Sequence, residues 1–281
     1  MTDASPDTLR LAPEPKPVTP KLSVRNLMKT RMSTSGDPVV AVDGVSFDVA
    51  PGEFVCLLGP SGCGKTSILN ILAGLDEPTS GSALLDGRPI PGPGPDRAVL
   101  FQEPALFPWL SVQANIELAL RLIGVPASER PGRAMHWLQS VALERFAHVQ
   151  PHELSAGMRQ RAQLARALAC DPDVVLGDEP FGALDAQARE LLQDEVQRVW
   201  VAREGGPKTF LFVTHNVREA ALLADRVLVM SAAPGHLIEE VRINADHPRQ
   251  LDDVLVARVV TEVHDLLMSE VGKGVADETG R

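Results

Sequence analysis

Gly59-Pro60-Ser61-Gly62-Cys63-Gly64-Lys65-Thr66 decides how the rest of the sequence is read, because it fits the spacing G-x-x-x-x-G-K-[ST]. The apolar run Phe54–Leu58 before it predicts a strand. Thr66–Ala73 after it predicts a helix, with Ile68, Leu69 and Leu72 on one side and Gly74 as the stop. Gly62 and Gly64 let the backbone curl so that successive N–H groups point inward at phosphate oxygens. The following helix adds the positive end of its dipole. Lys65 is a point charge for β- and γ-phosphates, and the Thr66 hydroxyl is a ligand for Mg²⁺. Strand, loop and helix in this order predict a nucleotide site.

Outward from that loop, short apolar runs alternate with helical stretches. Val39–Val49, Ala98–Phe101, Val174–Leu176, Thr209–Val213 and Arg226–Met230 read as further strands. Val174–Leu176 and Thr209–Val213 are apolar on both faces, as buried strands of a parallel sheet are. Ala186–Trp200 places Leu192, Val196, Val199 and Trp200 on one helical face. The pattern is α/β. The stretch from Pro104 to Cys170 is mostly helical and reads as an inserted α subdomain. Gly87–Arg97 and Pro126–Gly132 are rich in Pro and Gly and read as surface connections. Residues 1–20 hold Pro6, Pro13, Pro15, Pro17 and Pro20 and few large apolar groups, which predicts a disordered leader. Leu251–Val271 is amphipathic and is expected to pack on the body of the protein, with a frayed tail from Gly272 to Arg281.

Composition narrows the classes. The 281 residues carry a net charge of −10, which disfavours nucleic-acid backbones as partners. No stretch approaches the ~20 apolar residues of a membrane span. The opening MTDASPDTLR does not read as a signal peptide. Cys56, Cys63 and Cys170 are too few for a disulfide framework and point to a reducing compartment. The chain has no tyrosine.

Val174-Val175-Leu176-Gly177-Asp178-Glu179 is an apolar strand ending in two acids. Such a strand brings Asp178 to the phosphate end of the sheet, where it can hold Mg²⁺, and sets Glu179 to act as base for an attacking water. Gly177 is a small residue in that strand and is expected to weaken its packing.

Leu154-Ser155-Ala156-Gly157-Met158-Arg159-Gln160-Arg161 resembles the signature motif of ATP-binding-cassette (ABC) ATPases. The rest of that family's set follows in order: Gln102 after a strand, Phe181-Gly182-Ala183-Leu184-Asp185 like the D-loop, and Thr214-His215 like the switch histidine. The resemblance extends from about Leu22 to Leu237. It implies a P-loop NTPase fold of the ABC ATPase kind: a RecA-like core, an antiparallel β subdomain and an inserted α-helical subdomain at about 104–170. The whole ATPase domain is set at 21–245, with a C-terminal helix and tail over 246–281.

It also implies a head-to-tail dimer of two copies with two ATP molecules sandwiched between them. ATP is held by Gly59, Pro60, Ser61, Gly62, Cys63, Gly64, Lys65, Thr66 and Ser67 of one subunit. Ser155 and Gly157 of the other meet its γ-phosphate, and Asp185 lies near the junction. Thr66, Asp178 and Gln102 surround Mg²⁺. Glu179 is the base, and His215 and Gln102 sense the γ-phosphate. Relatives stack adenine on an aromatic upstream of the loop, but Lys21–Val42 contains none. Arg31 or Met32 falls nearest that position and Val40 covers the other side of the ring, so weak selectivity for the base is expected.

Several strings resemble the nitrate/sulfonate/taurine importer branch, among them Leu106-Phe107-Pro108-Trp109-Leu110-Ser111-Val112 and Asp178-Glu179-Pro180-Phe181-Gly182-Ala183-Leu184-Asp185. This implies an ATPase subunit on the cytoplasmic face of the inner membrane. Its partners are transmembrane permease subunits, which dock at the Phe101–Leu110 segment, and indirectly a periplasmic solute-binding protein. The alternatives are a non-hydrolysing, ATP-binding structural subunit and a cassette outside transport. Most relatives have glycine where Ala156 stands. A methyl group is tolerated there if φ is negative, so Ala156→Gly is expected to change the ATPase rate less than about tenfold. A larger rise would show that the methyl group restrains the site.

Overall fold

The structure, a computed structural model, describes residues 19–33, 36–202 and 208–279. Most of the expected leader, residues 1–18, lies outside the described residues. In chain order the first elements are β1 (Leu22–Met32), β2 (Pro38–Val49), β3 (Phe54–Leu58), α1 (Lys65–Ala73), β4 (Ser80–Leu85), β5 (Arg88–Pro89) and β6 (Arg97–Leu100). Helices α2 (Val112–Leu122), α3 (Arg130–Ser140) and α4 (Ala156–Ala169) come next. The chain continues through β7 (Val174–Asp178), α5 (Ala186–Ala202), β8 (Thr209–Thr214), α6 (Val217–Leu223), β9 (Arg226–Met230), β10 (Leu237–Arg242) and α7 (Val254–Thr279).

A six-stranded sheet in the order β10-β9-β3-β8-β7-β6 forms the centre, parallel except for β10. Its inner strands β3, β8 and β9 are buried throughout, because both faces of the sheet are covered. Phe54, Cys56, Leu58, Phe210 and Phe212 point to one core, with Leu192 and Val196 of α5 and Leu223 of α6. Val55, Leu57, Leu211 and Val213 point to the other, with Ile68, Leu69 and Leu72 of α1. That second core also takes in Leu22, Val24, Leu27, Val45 and Phe47 from a four-stranded antiparallel sheet, order β2-β1-β4-β5. Helix α1 is therefore held between two sheets. Helices α2, α3 and α4 gather Ile116, Leu120, Leu138, Ala162 and Ala165 into a core of their own.

Some elements differ from their sequence reading, each for a local reason. Strand β1 hides its alternation: Leu22, Val24 and Leu27 are all buried, but a register shift between Val24 and Leu27 and a positive φ of 44° at Asn26 break the period of two. Arg88–Pro89, inside the segment read as a surface connection, pairs with Leu84 and Leu85. Arg130–Gly132, read as part of another connection, is the first turn of α3, where proline is well placed. Helix α7 starts later than Leu251 because residues 250–253 form a turn, in which the Gln250 N–H donates to Asp253 Oδ2 (3.0 Å). It runs on through Gly272 to Thr279, past the expected start of fraying. Its Val256, Val259 and Val263 are buried in the core that includes α6, as the amphipathic pattern required.

Gly177 does not leave its strand thinly packed. A Cβ built there would lie 2.5 Å from Phe212 Cδ1 and 2.9 Å from Cγ, so the ring of the neighbouring strand occupies the space a side chain would take. Phe212 is locked in turn against Phe54, edge to face at 5.0 Å. Gly177→Ala should therefore destabilise the protein by about 1–3 kcal/mol through overpacking. Adding Phe212→Leu should recover part of that loss in a thermal or urea melt; an unchanged midpoint in the single variant would contradict this packing.

Candidate active site

The loop Gly59–Gly64 leaves the C-terminal end of β3 and turns directly into α1. Gly62 and Gly64 take φ of 82° and 94°, values that L side chains rarely adopt. Gly64 is also the helix N-cap and offers no side chain to cap the first-turn amides. A Cβ on it would lie 2.5 Å from Val42 Cγ2 and 2.7 Å from the Ala41 carbonyl, so β2 presses on the loop at this point. The site fits an anion: uncapped amides at a helix start, with a cation beside them. That cation is Lys65, 5% exposed, whose ammonium donates to the carbonyls of Gly59 and Pro60, both at 2.8 Å. Cys63 is buried, with its sulfur 3.7 Å from the same ammonium, and Ser67 is buried on α1.

Strands β7 and β8 deliver the remaining groups to the same end of the sheet. Thr66 Oγ1 donates to Asp178 Oδ1 at 3.0 Å. Burial raises the Asp178 pKa; the Thr66 hydrogen bond and Lys65 oppose the rise, and the Glu179 charge adds to it. Hydroxyl and carboxylate together are hard oxygen donors of the kind Mg²⁺ accepts beside phosphate oxygens. Glu179 follows with φ 46°, a left-handed conformation that costs a residue with a side chain about 1–3 kcal/mol. It is held there by its N–H to the Val213 carbonyl and by the Gly182 N–H to its own carbonyl, both 3.0 Å. Its carboxylate Oε2 lies 2.9 Å from His215 Nδ1. A Cβ on Gly182 would be 3.5 Å from both Gln102 Nε2 and Glu179 Oε2, so both side chains border the space that this glycine leaves open.

The other expected residues lie apart from this cluster. Ser155 is exposed and caps α4, accepting from the Met158 N–H at 3.3 Å. Ala156 is the first residue of that helix, so its backbone is helical and its methyl group causes no strain. Gly157 packs on α5, where a Cβ would meet Ala188 Cβ at 2.9 Å. Asp185 caps α5 through the Ala188 N–H at 2.8 Å. Val40 is 36% exposed on β2, and Met32 is 70% exposed near the end of the β1–β2 hairpin.

Two contacts were not foreseen from sequence. Gln160 on α4 donates to the Gln102 carbonyl (2.7 Å), tying the segment after β6 to the signature helix. Glu219 on α6 accepts from Thr214 Oγ1 (2.8 Å); its available signal was the helix-start spacing Asn216-x-x-Glu219. Further along, Asn115 is buried and fastens the aromatic loop, donating to the carbonyls of Phe107 (3.2 Å), Leu110 (3.3 Å) and Ser111 (3.0 Å). Phe107 and Trp109 are thereby presented outward, 37% and 70% exposed, and Trp109 lines a groove of about 340 Å³ together with Leu118 and Arg121.

A family model described as ABC transporter matches residues 42–182. The chain is 50% identical over 212 residues to the taurine import ATP-binding protein of Mesorhizobium japonicum, covering 75% of this chain and 81% of that protein. It is 44% identical over 241 residues to the nitrate import ATP-binding protein of Synechococcus elongatus, covering 83% and 87%. A solved dimeric ATP-binding cassette in a post-hydrolysis state, bound to ADP and Pi, matches with a TM-score of 0.70 and 30% identity over 80% of this chain and 100% of that one. The phosphate loop, the acids that face it and these likenesses lead to one conclusion: the chain belongs to the ABC transporter family, as one of its ATP-hydrolysing subunits.

Proposed function

We propose that this subunit hydrolyses ATP to drive a permease pair that imports nitrate, a sulfonate, taurine or a related small solute. The observation that carries the chemistry is the convergence of Thr66–Asp178 (3.0 Å) with Glu179–His215 (2.9 Å) at one end of the sheet. Lys65 would exchange the carbonyls of Gly59 and Pro60 for β- and γ-phosphate oxygens, and the amides of Gly62–Ser67 would line the phosphates. Thr66, Asp178 and the Gln102 amide would hold Mg²⁺, which when bound offsets phosphate charge. Glu179 takes the proton of the attacking water as its oxygen bonds to the γ-phosphorus and the bond to the β-phosphate oxygen breaks, leaving ADP and phosphate. His215 holds Glu179 in place and reaches the γ-phosphate from β8, the strand between β3 and β7.

Ser155 and Gly157 lie on a different element from the phosphate loop, so we assign them to the site of a second copy of this chain, with Asp185 at the junction. Two loops and two signature helices then enclose two ATP molecules. Val40 on one side and Arg31 or Met32 on the other, all exposed near the hairpin end, are the surfaces offered to adenine. No helix among the described residues is long and apolar enough to cross a membrane, so the permease supplies the span. The groove beside Phe107 and Trp109 is the seat for a permease segment, on the cytoplasmic face. A periplasmic binding protein would hand over the solute on the other side. The subunit itself does not touch that solute.

Glu179→Gln keeps the shape and removes the base. Turnover should fall about 10²- to 10⁴-fold, and the variant should accumulate as an ATP-bound dimer on size exclusion. Hydrolysis at the wild-type rate would overturn the assignment of the base.

A further inference from the structure

Glu219 is 6% exposed on α6, four residues beyond His215, and its Oε1 atom is buried with no hydrogen-bond partner. A buried carboxyl group with one orphan oxygen is costly and calls for a compensating use. At the third position of a helix capped by Asn216, such a glutamate ordinarily reaches back to the N-cap N–H. Here that N–H is taken by Thr214 instead: Asn216 N–H donates to Thr214 Oγ1 (3.0 Å), and Thr214 Oγ1 donates to Glu219 Oε2 (2.8 Å). The Asn216 side chain meanwhile accepts from the N–H groups of Arg218 (3.0 Å) and Glu219 (3.4 Å).

The residues on both sides of His215 are thus tied to one carboxyl group. Thr214 before it, 4% exposed at the end of β8, is bound through its hydroxyl. Asn216 after it is bound through the same hydroxyl from the other direction. His215 sits in the three-residue bight between them, its imidazole 2.9 Å from Glu179. Burial raises the Glu219 pKa, while the Thr214 hydrogen bond and the charges of Arg189 and His215 oppose the rise. The clamp does not depend on the outcome, since Oε2 accepts from Thr214 with or without a proton on Oε1.

We propose that Glu219 is a positioning residue for ATP hydrolysis, fixing His215 against Glu179 through the Thr214 hydroxyl. On this reading it acts through Thr214 and not on the reacting atoms. The logic is that of a catalytic group oriented by a third side chain. This rests on the role given to His215 above.

The test uses the full chain with its permease pair and ATP. Thr214→Val and Glu219→Ala should each lower kcat about tenfold or more, with the KM for ATP within about twofold. Thr214→Ser and Glu219→Gln restore a hydroxyl and an acceptor oxygen, and should stay within about threefold of wild type. The double variant Thr214→Val/Glu219→Ala should be no slower than the slower single one, because both break one chain of bonds. In histidine-selective NMR of the full chain, the His215 Cε1–H resonance should move in the Val and Ala variants and not in the Ser and Gln variants. Losses that multiply in the double variant, a Gln variant as slow as Ala, a rise in KM that accounts for the loss, or an unmoved resonance would each overturn the proposal. If His215→Ala hydrolyses ATP normally, the role of His215 fails. If His215→Ala is inactive while Thr214→Val and Glu219→Ala turn over like wild type, only the clamp fails.

Discussion

The register of three parallel strands is the constraint on which the site depends. Leu58 of β3 lies level with Thr214 of β8, and Val213 of β8 lies level with Asp178 of β7. One residue beyond each strand end stands a group with chemistry: Gly59, His215 and Glu179. Slipping any strand by one residue would turn its side chains to the other face and separate these groups by about 3.3 Å. The Phe54–Phe210–Phe212 stack and the bare Gly177 beneath Phe212 fix that register from within the core. The same packing sets the left-handed turn at Glu179, because its N–H is drawn to the Val213 carbonyl.

The central sheet and the phosphate loop were legible in the sequence because their signals are local. The runs Phe54–Leu58, Val174–Leu176 and Thr209–Val213 are short and apolar, and Gly59–Thr66 needs only its own eight residues to be read. The antiparallel sheet was legible only by resemblance to a family, since the bulge at Asn26 shifts the buried positions of β1 out of step. Gly177 was misread for a different reason: whether a missing side chain leaves a gap depends on Phe212, 35 residues away in sequence and adjacent only after pairing. Glu219 went unread because its partner is a hydroxyl that takes over a bond usually made by the backbone.

The absence of a membrane-spanning helix among the described residues and the net charge of −10 exclude little about where such a chain works. An ABC importer divides its labour, and its ATPase subunit needs a docking groove rather than a span. Asn115 shapes the groove proposed for that role: a single buried amide holds three carbonyls of the loop before α2, next to the exposed Trp109. Gln160 links the neighbouring segment at Gln102 to the helix that starts with Ser155 and Gly157. On the proposed dimer, one helix therefore touches both the permease side of its own subunit and the phosphate of its partner's ATP.

The half-site is the central claim, and mixing two inactive variants tests it most directly. Lys65→Ala disables the loop that binds phosphate, and Ser155→Arg blocks the surface assigned to the partner's ATP. Each alone should be inactive as a dimer. In a mixed dimer, the intact loop of the Ser155→Arg chain meets the intact signature of the Lys65→Ala chain, so one complete site forms. ATPase activity should reappear on mixing, with a maximum near equal amounts of the two chains. A mixture as inactive as its parts would contradict a site shared between subunits.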